Sequence, residues 1–209
     1  MPILLLIRHG ENDLSKRGVL AGRLPHVHLN ATGRKQAADL AEALGQLPIS
    51  AVYSSPLERA LETAKPLAKA LGLRVHRAPG LIESDVGAWQ GEPVRRLRRS
   101  KYWNIVQVAP SRAGHPGGES FLQTQARIVG ALESICASHK PKEHIACILH
   151  SDPIKLAVAH YIGLPLDHFQ RLACDTASVT MLAVGPGSAQ LIWLNRRPPF
   201  VAAMPTAGR

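Results

Sequence analysis

A chain of 209 residues that is 45% hydrophobic but only 4% aromatic can fill one substantial core of Leu, Ala, Val and Ile, the mixture of layered α/β proteins. Its 25 Lys and Arg against 15 Asp and Glu leave a net charge of +10, a surface that attracts anions without saying whether these are nucleic acid, membrane or a phosphorylated substrate. No apolar run approaches the roughly 18 residues of a spanning helix, which excludes an integral membrane protein of helical type.

In chain order, Ile3 to Ile7 is a continuous apolar run followed at once by Arg8, His9 and Gly10, the pattern of a strand buried on both faces and closed by a turn. The run lacks a basic leader and a cleavage site, so a soluble, cytoplasmic protein is expected. Asn30 can cap a helix in which Ala37, Leu40, Ala41 and Leu44 recur at helical spacing, with Gly45 close to its end. Ala51 to Tyr53 reads as a second strand. Ser55-Pro56-Leu57-Glu58 then predicts a helix start, with Ser55 as cap, Pro56 at the first helical position and Glu58 closing a capping box. Arg59 falls in the first turn of that helix, and Leu57, Ala60, Leu61, Ala64, Leu67, Ala68 and Leu71 form its buried stripe, with a kink expected at Pro66.

Leu73 to His76 predicts another strand, and Leu81 to Gly91 a glycine-punctuated loop. Residues 92 to 117 are rich in charge and proline and show little periodicity, which suits an excursion over the active face. An amphipathic helix is expected from Ser120 to about Ser138, then a buried strand from His144 to Leu149, closed by His150. Asp152-Pro153 starts a further helix with Ile154, Ala157, Val158, Tyr161 and Ile162 on one face. Val179 to Val184 and Gln190 to Leu194 read as a hairpin, and Arg196 to Arg209 as a loose tail after a single domain of residues 1–195. Cys136, Cys147 and Cys174 are odd in number and set in apolar surroundings, as reduced core thiols would be.

Strands alternating with helices imply a three-layer α/β/α sandwich with a mostly parallel sheet, which binds ligands beyond the carboxyl ends of its strands. Three predicted strands lead there into Arg8 and His9, into Ser54, Ser55 and Arg59, and into His150. If these strands are neighbours, two guanidiniums and two imidazoles meet near helix N-termini and form a phosphate-sized anion site. Singly, each residue reads as an ordinary structural or surface group; together they would repel one another without an anion.

Arg8-His9-Gly10-Glu11, Ser54-Ser55-Pro56-Leu57 with Arg59, Glu83 followed by Gly87 and Trp89-Gln90-Gly91, Pro116-Gly117-Gly118-Glu119-Ser120, and His150 after an apolar strand resemble the histidine phosphatase superfamily, the phosphoglycerate-mutase-like group. The resemblance runs in order from about residue 3 to residue 194. It implies that His9 is the nucleophile, that Arg8, Arg59 and His150 hold the phosphoryl oxygens, and that Glu83 protonates the leaving oxygen, with Asp85 as the competing carboxylate. Ser15 stands where the family often has Asn, and Ser151 follows His150, so each is a candidate phosphate contact through side chain or backbone. Gly22 either lets the backbone approach the ligand or serves an ordinary turn.

The resemblance therefore implies hydrolysis of a soluble phosphorylated metabolite through phospho-His9, without metal or other cofactor. The ten histidines lack metal-ligand spacing. A phosphoglycerate-mutase-type phosphomutase is the alternative within the family, disfavoured because the chain lacks long substrate-covering insertions. The rival from another class is a basic nucleic-acid-binding protein without catalysis, but no recognised motif accompanies the charge. Arg95, Arg96, Arg98, Arg99 and Lys101 are either a solvated helix face or a means of drawing in a substrate with charge beyond its phosphate, such as a bisphosphate or a nucleotide. A homodimer is left open.

Overall fold

Five consecutive apolar residues can be buried completely only in a strand covered on both sides. In the computed structural model, which describes residues 1–200, they form β1 (Ile3–Arg8) at the middle of a six-stranded sheet. The other strands are β2 (Ile49–Ser54), β3 (Val75–Arg77), β4 (His144–Leu149), β5 (Val179–Gly185) and β6 (Ser188–Arg196), in the order β3-β2-β4-β1-β5-β6. The first four in that order run parallel, and β5 and β6 close the sheet as an antiparallel hairpin.

Alternation along β1 builds the layers, because successive side chains of a strand point to opposite faces. Ile3, Leu5 and Ile7 pack with Leu40, Ala41 and Leu44 of α2 (Ala31–Leu44) and with Ala60, Ala64, Leu67 and Ala68 of α3 (Glu58–Ala70). Leu4 and Leu6 face the opposite way, onto Ile128, Leu132 and Ile135 of α6 (Phe121–Ala137) and Ile154, Ala157 and Val158 of α7 (Ser151–Tyr161). The three-layer sandwich is as expected, and burying each such side chain contributes about 1.5–3 kcal/mol. Asn30 accepts from Gly33 N–H to start α2, and Ser120 with Gln123 forms a reciprocal capping box at α6.

A short α1 (Asp13–Lys16) follows β1, and residues 92 to 117 contain α4 (Val94–Leu97), α5 (Lys101–Val108) and a short 3-10 turn. A third cluster anchors this excursion: Leu97 and Val106 pack with Val86, Trp89, Phe121 and Phe169. Its first residues pair with the loop after α1, through Leu20 N–H to the Glu92 carbonyl and Val94 N–H to the Gly18 carbonyl.

Two expectations need correction. The helix predicted to start at Pro56 with Ser55 as cap begins at Glu58, with Leu57 as a cap that supplies no side-chain bond; Ser55 Oγ accepts from Leu57 N–H at 3.4 Å and lies 2.8 Å from His150 Nε2. Arg196, expected in a loose tail, ends β6, and Phe200 stacks on Trp193 with ring centroids 5.4 Å apart. The rest of the tail expectation, residues 201–209, lies outside the described residues. Among those described, no helix is long and apolar enough to cross a membrane. The three cysteines are unpaired, and burial raises the pKa of each.

Candidate active site

With β4 between β1 and β2, the carboxyl ends of the three strands lie side by side. Backbone bonds carry the alignment past the strands: His9 N–H donates to the Leu149 carbonyl (3.0 Å) and Ser55 N–H to the Ile148 carbonyl (2.9 Å). The His9 and His150 rings meet edge to face at 5.2 Å between centroids. Arg8, His9, Arg59, Glu83, Ser15, Gly22 and Ser151 all line one cavity of about 230 Å³. His150 stands behind it, fully buried, with Nδ1 3.8 Å from a Glu83 carboxylate oxygen.

His9 is 4% exposed, and burial, then the charges of Arg59 and Arg8, hold its pKa well below the usual histidine value. The ring is therefore neutral at pH 7. Nδ1 lies 2.7 Å from the Gly10 carbonyl, an acceptor, so Nδ1 carries the proton and Nε2 keeps its lone pair. The Gly10 amide is itself fixed by Thr63 Oγ1 at 3.0 Å. His150 is also held neutral, by burial first and then by Arg59. Its Nε2 faces Ser55 Oγ at 2.8 Å.

Arg59 is 1% exposed, yet only one of its nitrogens has a protein acceptor, the Gly22 carbonyl at 2.7 Å. Nε and Nη1 are buried without a partner, as are Arg8 Nε and His150 Nδ1. A buried donor left unpaired costs about 1–3 kcal/mol, and more when charged. With Arg8 and Arg59 in the cavity wall and His150 behind it, these unpaired atoms suit an anion with several acceptor oxygens.

Burial, then the charge of Asp152, pushes the Glu83 carboxyl up to about 7. Asp85 does not line the cavity; its carboxylate accepts from Gly87 N–H and pairs with Arg23 at 3.5 Å. The Glu83 backbone is clamped by Arg23 and Arg127 around Glu119, partners that sequence reading did not single out. Arg127 of α6 donates to the Gly80 and Ile82 carbonyls, both at 2.9 Å, and makes a two-pronged pair with Glu119 at 2.9 and 2.8 Å. Arg23 Nε donates to the Glu83 carbonyl at 2.8 Å and its guanidinium pairs with Glu119 at 3.0 Å.

Burial alone would raise the Glu119 pKa, but Arg127, Asp85 N–H and Arg23 bring it to about 2. A carboxylate depressed on folding stabilises above its unfolded pKa, and that contribution is lost as pH falls through the folded value. Glu119→Gln is accordingly expected to cost about 2–3 kcal/mol at pH 7 and little below pH 2. Urea unfolding at the two pH values measures this, and equal stability at pH 7 would contradict the clamp.

The weaker candidates separate. Gly22 has φ +50°, and a Cβ there would sit 2.5 Å from Val86 Cγ2, so glycine is required where its carbonyl holds Arg59. Ser151 opens α7 at the cavity, with its backbone in the helix's first turn. Ser15 reaches the wall, but its hydroxyl donates to the Asn12 carbonyl at 2.8 Å within the capping box of α1, so its side chain has no proton to give a phosphate. Asn12, buried and also lining the cavity, was not anticipated. Of the excursion, only Val94 lines the cavity; Arg95, Arg96, Arg98 and Arg99 are exposed, and Arg96 pairs with Glu92. Among the described residues, no three His, Cys, Asp or Glu side chains cluster as a metal site.

The profile of the histidine phosphatase superfamily (branch 1) matches residues 4–197. The chain is 31% identical over 195 residues to phosphoserine phosphatase 1 of Hydrogenobacter thermophilus, covering 92% of this chain and 91% of that protein. It is 29% identical over 196 residues to a 2,3-bisphosphoglycerate-dependent phosphoglycerate mutase of Thermoplasma acidophilum, covering 90% of each. Among solved structures, a mycobacterial glucosyl-3-phosphoglycerate phosphatase in complex with VO3 superposes with a TM-score of 0.84 at 27% identity, covering 92% of this chain and 98% of that one.

Proposed function

Because the chain belongs to branch 1 of the histidine phosphatase superfamily, we propose that residues 1–195 form one catalytic domain that hydrolyses a phosphorylated metabolite through a phosphohistidine on His9. The observation that carries this reading is the set of buried, unpartnered donors on Arg59, Arg8 and His150 around a neutral imidazole with a free Nε2. Phosphatases among its relatives support it.

In the first half-reaction the Nε2 lone pair attacks phosphorus. The P–N bond forms as the P–O bond to the leaving group breaks, and the Glu83 proton passes to the departing oxygen. In the second, Glu83, now a carboxylate, removes a proton from water, which attacks phosphorus, breaks the P–N bond and releases phosphate. Arg8 and Arg59 hold the equatorial oxygens as their charge shifts, a role in which one arginine can contribute about 10³–10⁵ in rate. Ser55, whose Oγ accepts from Leu57 N–H, has its own proton to give His150 Nε2, so His150 presents Nδ1–H toward the phosphoryl group. The Ser151 backbone supplies a further donor.

These states fix the pH dependence. His9 stays neutral throughout the neutral range, whereas Glu83 loses its proton above about 7. With an alkyl phosphate, kcat/KM should fall to about half its acid-side value near pH 7 and approach a tenfold fall per unit beyond about pH 8; Glu83→Gln should lack that alkaline limb. Both pKa shifts act on stability too: raised Glu83 favours the fold at low pH and loses that contribution as pH rises through about 7.

Likeness to the mutase supports a second reading, phosphoryl transfer to a second hydroxyl in place of water. Incubating labelled substrate with an excess of acceptor alcohol and following label into phosphate and into new ester tests both. Label in inorganic phosphate, undiminished by chelator, is the result expected; label confined to ester favours the mutase.

A further inference from the structure

Beyond the phosphate-holding end of the cavity lies the space for the rest of the substrate, and its chemistry differs from that of the protein's surface. The alcohol must leave beside Glu83, which lines this cavity. A neighbouring cavity shares Arg8 and Ser15 but is lined by neither His9 nor Glu83. Around the leaving side stand Val19, Leu20, Val86, Val94 and a second carboxylate, Asp152. Lys155, at 2.9 Å from Asp152 Oδ1, is buried against Phe169 and Gln170 and does not line the cavity. It keeps Asp152 ionised without offering a cation to a ligand.

Among the described residues, Arg8 and Arg59 are the only Lys or Arg in this wall; Lys16 and Arg197 line the neighbouring cavity instead. Arg23 and Arg127 are held by Glu119 and by main-chain carbonyls. The arginines of α4 lie outside the wall, so the overall charge of +10 does not extend to where the leaving group sits. A carboxylate or second phosphate there would face Asp152 across an apolar surface, and such like-charge juxtaposition is strongly disfavoured.

Building on the hydrolytic reading above, we infer that the leaving-group side selects phosphate esters of neutral or ammonium-bearing alcohols and rejects those with a second anion, Asp152 being the discriminating residue. Three esters of similar size test this: 2-aminoethyl phosphate, 2-hydroxyethyl phosphate and 2-phosphoglycolate, with an aryl phosphate as reference. The wild type should favour the ammonium and hydroxyl esters over the carboxylate by at least about tenfold in kcat/KM. Asp152→Asn should shrink that ratio by about the same factor, whereas a merely distorted site would slow all three alike and leave it unchanged. Val94→Lys, which adds a cation to the wall while sparing the Lys155 pair, should raise activity on 2-phosphoglycolate selectively.

Preference for 2-phosphoglycolate, a ratio unmoved in both variants, or turnover of the aryl ester with none of the three would overturn the inference and leave hydrolysis through His9 standing. Absence of phosphate release from every ester, the aryl one included, would instead remove the hydrolytic reading itself.

Discussion

Replacing His9 with alanine should abolish turnover, by on the order of 10⁶-fold if losing this nucleophile costs what it does in other covalent enzymes. No nearby group can substitute for it. His150, the other imidazole, is fully buried behind the cavity with Nε2 engaged by Ser55, and Glu83 is held protonated near neutrality by burial and Asp152. Labelled substrate quenched in alkali should leave one phosphoryl group on the wild-type chain, labile to acid, and none on His9→Ala. The variant should still bind inorganic phosphate, because Arg8 and Arg59 keep their unpartnered donors. Retained binding with lost turnover identifies a chemical role; residual activity above about one hundredth of wild type would mean that another residue carries the phosphoryl group.

Much of this was legible in the sequence because the features are local. Ile3–Arg8 and His144–Leu149 are runs that only a central strand can bury, and each delivers its cationic or imidazole residue directly after its last apolar one. The hairpin and the Asn30 cap each depend on residues a few positions apart. Ser55 shows the limit. Local grammar makes it a helix cap, but its hydroxyl also meets an imidazole 95 residues away, and no local spacing announces such a partner.

The same limit governs the site. Its reacting groups sit at strand ends, where topology alone brings them together, whereas the parts that hold them are pairs remote in sequence: Thr63 on Gly10, Gly22 on Arg59, and Arg23 and Arg127 on Glu119 and the Glu83 loop. Glu119 lay within a motif that carried the family resemblance, so its position was marked although its partners were not. Residues 92 to 117 were opaque for a different reason. Their short helices bury single residues such as Leu97 and Val106 against a satellite cluster, which leaves too few apolar positions for a period to be visible.

Glu83→Gln should slow hydrolysis of an alkyl phosphate by about 10²–10⁴-fold, the usual contribution of a general acid, and should slow an aryl phosphate with an acidic phenol much less. An alkoxide is too basic to leave without a proton, whereas a phenolate of low pKa departs as the anion, so only the first needs the carboxylic acid. Glutamine preserves size and keeps an oxygen for the Ser84 N–H that Glu83 accepts at 2.9 Å, so the loop clamped by Arg23 and Arg127 should stay in place. The fold should not suffer, since burial already disfavours the ionised carboxylate. Asp85→Asn is the matched control: Asp85 lies off the cavity wall and pairs with Arg23, so its loss should be mild and the same for both esters. Equal losses on both esters in Glu83→Gln would reduce Glu83 to a structural role. A selective loss on the alkyl ester in Asp85→Asn instead would transfer the proton donor to Asp85.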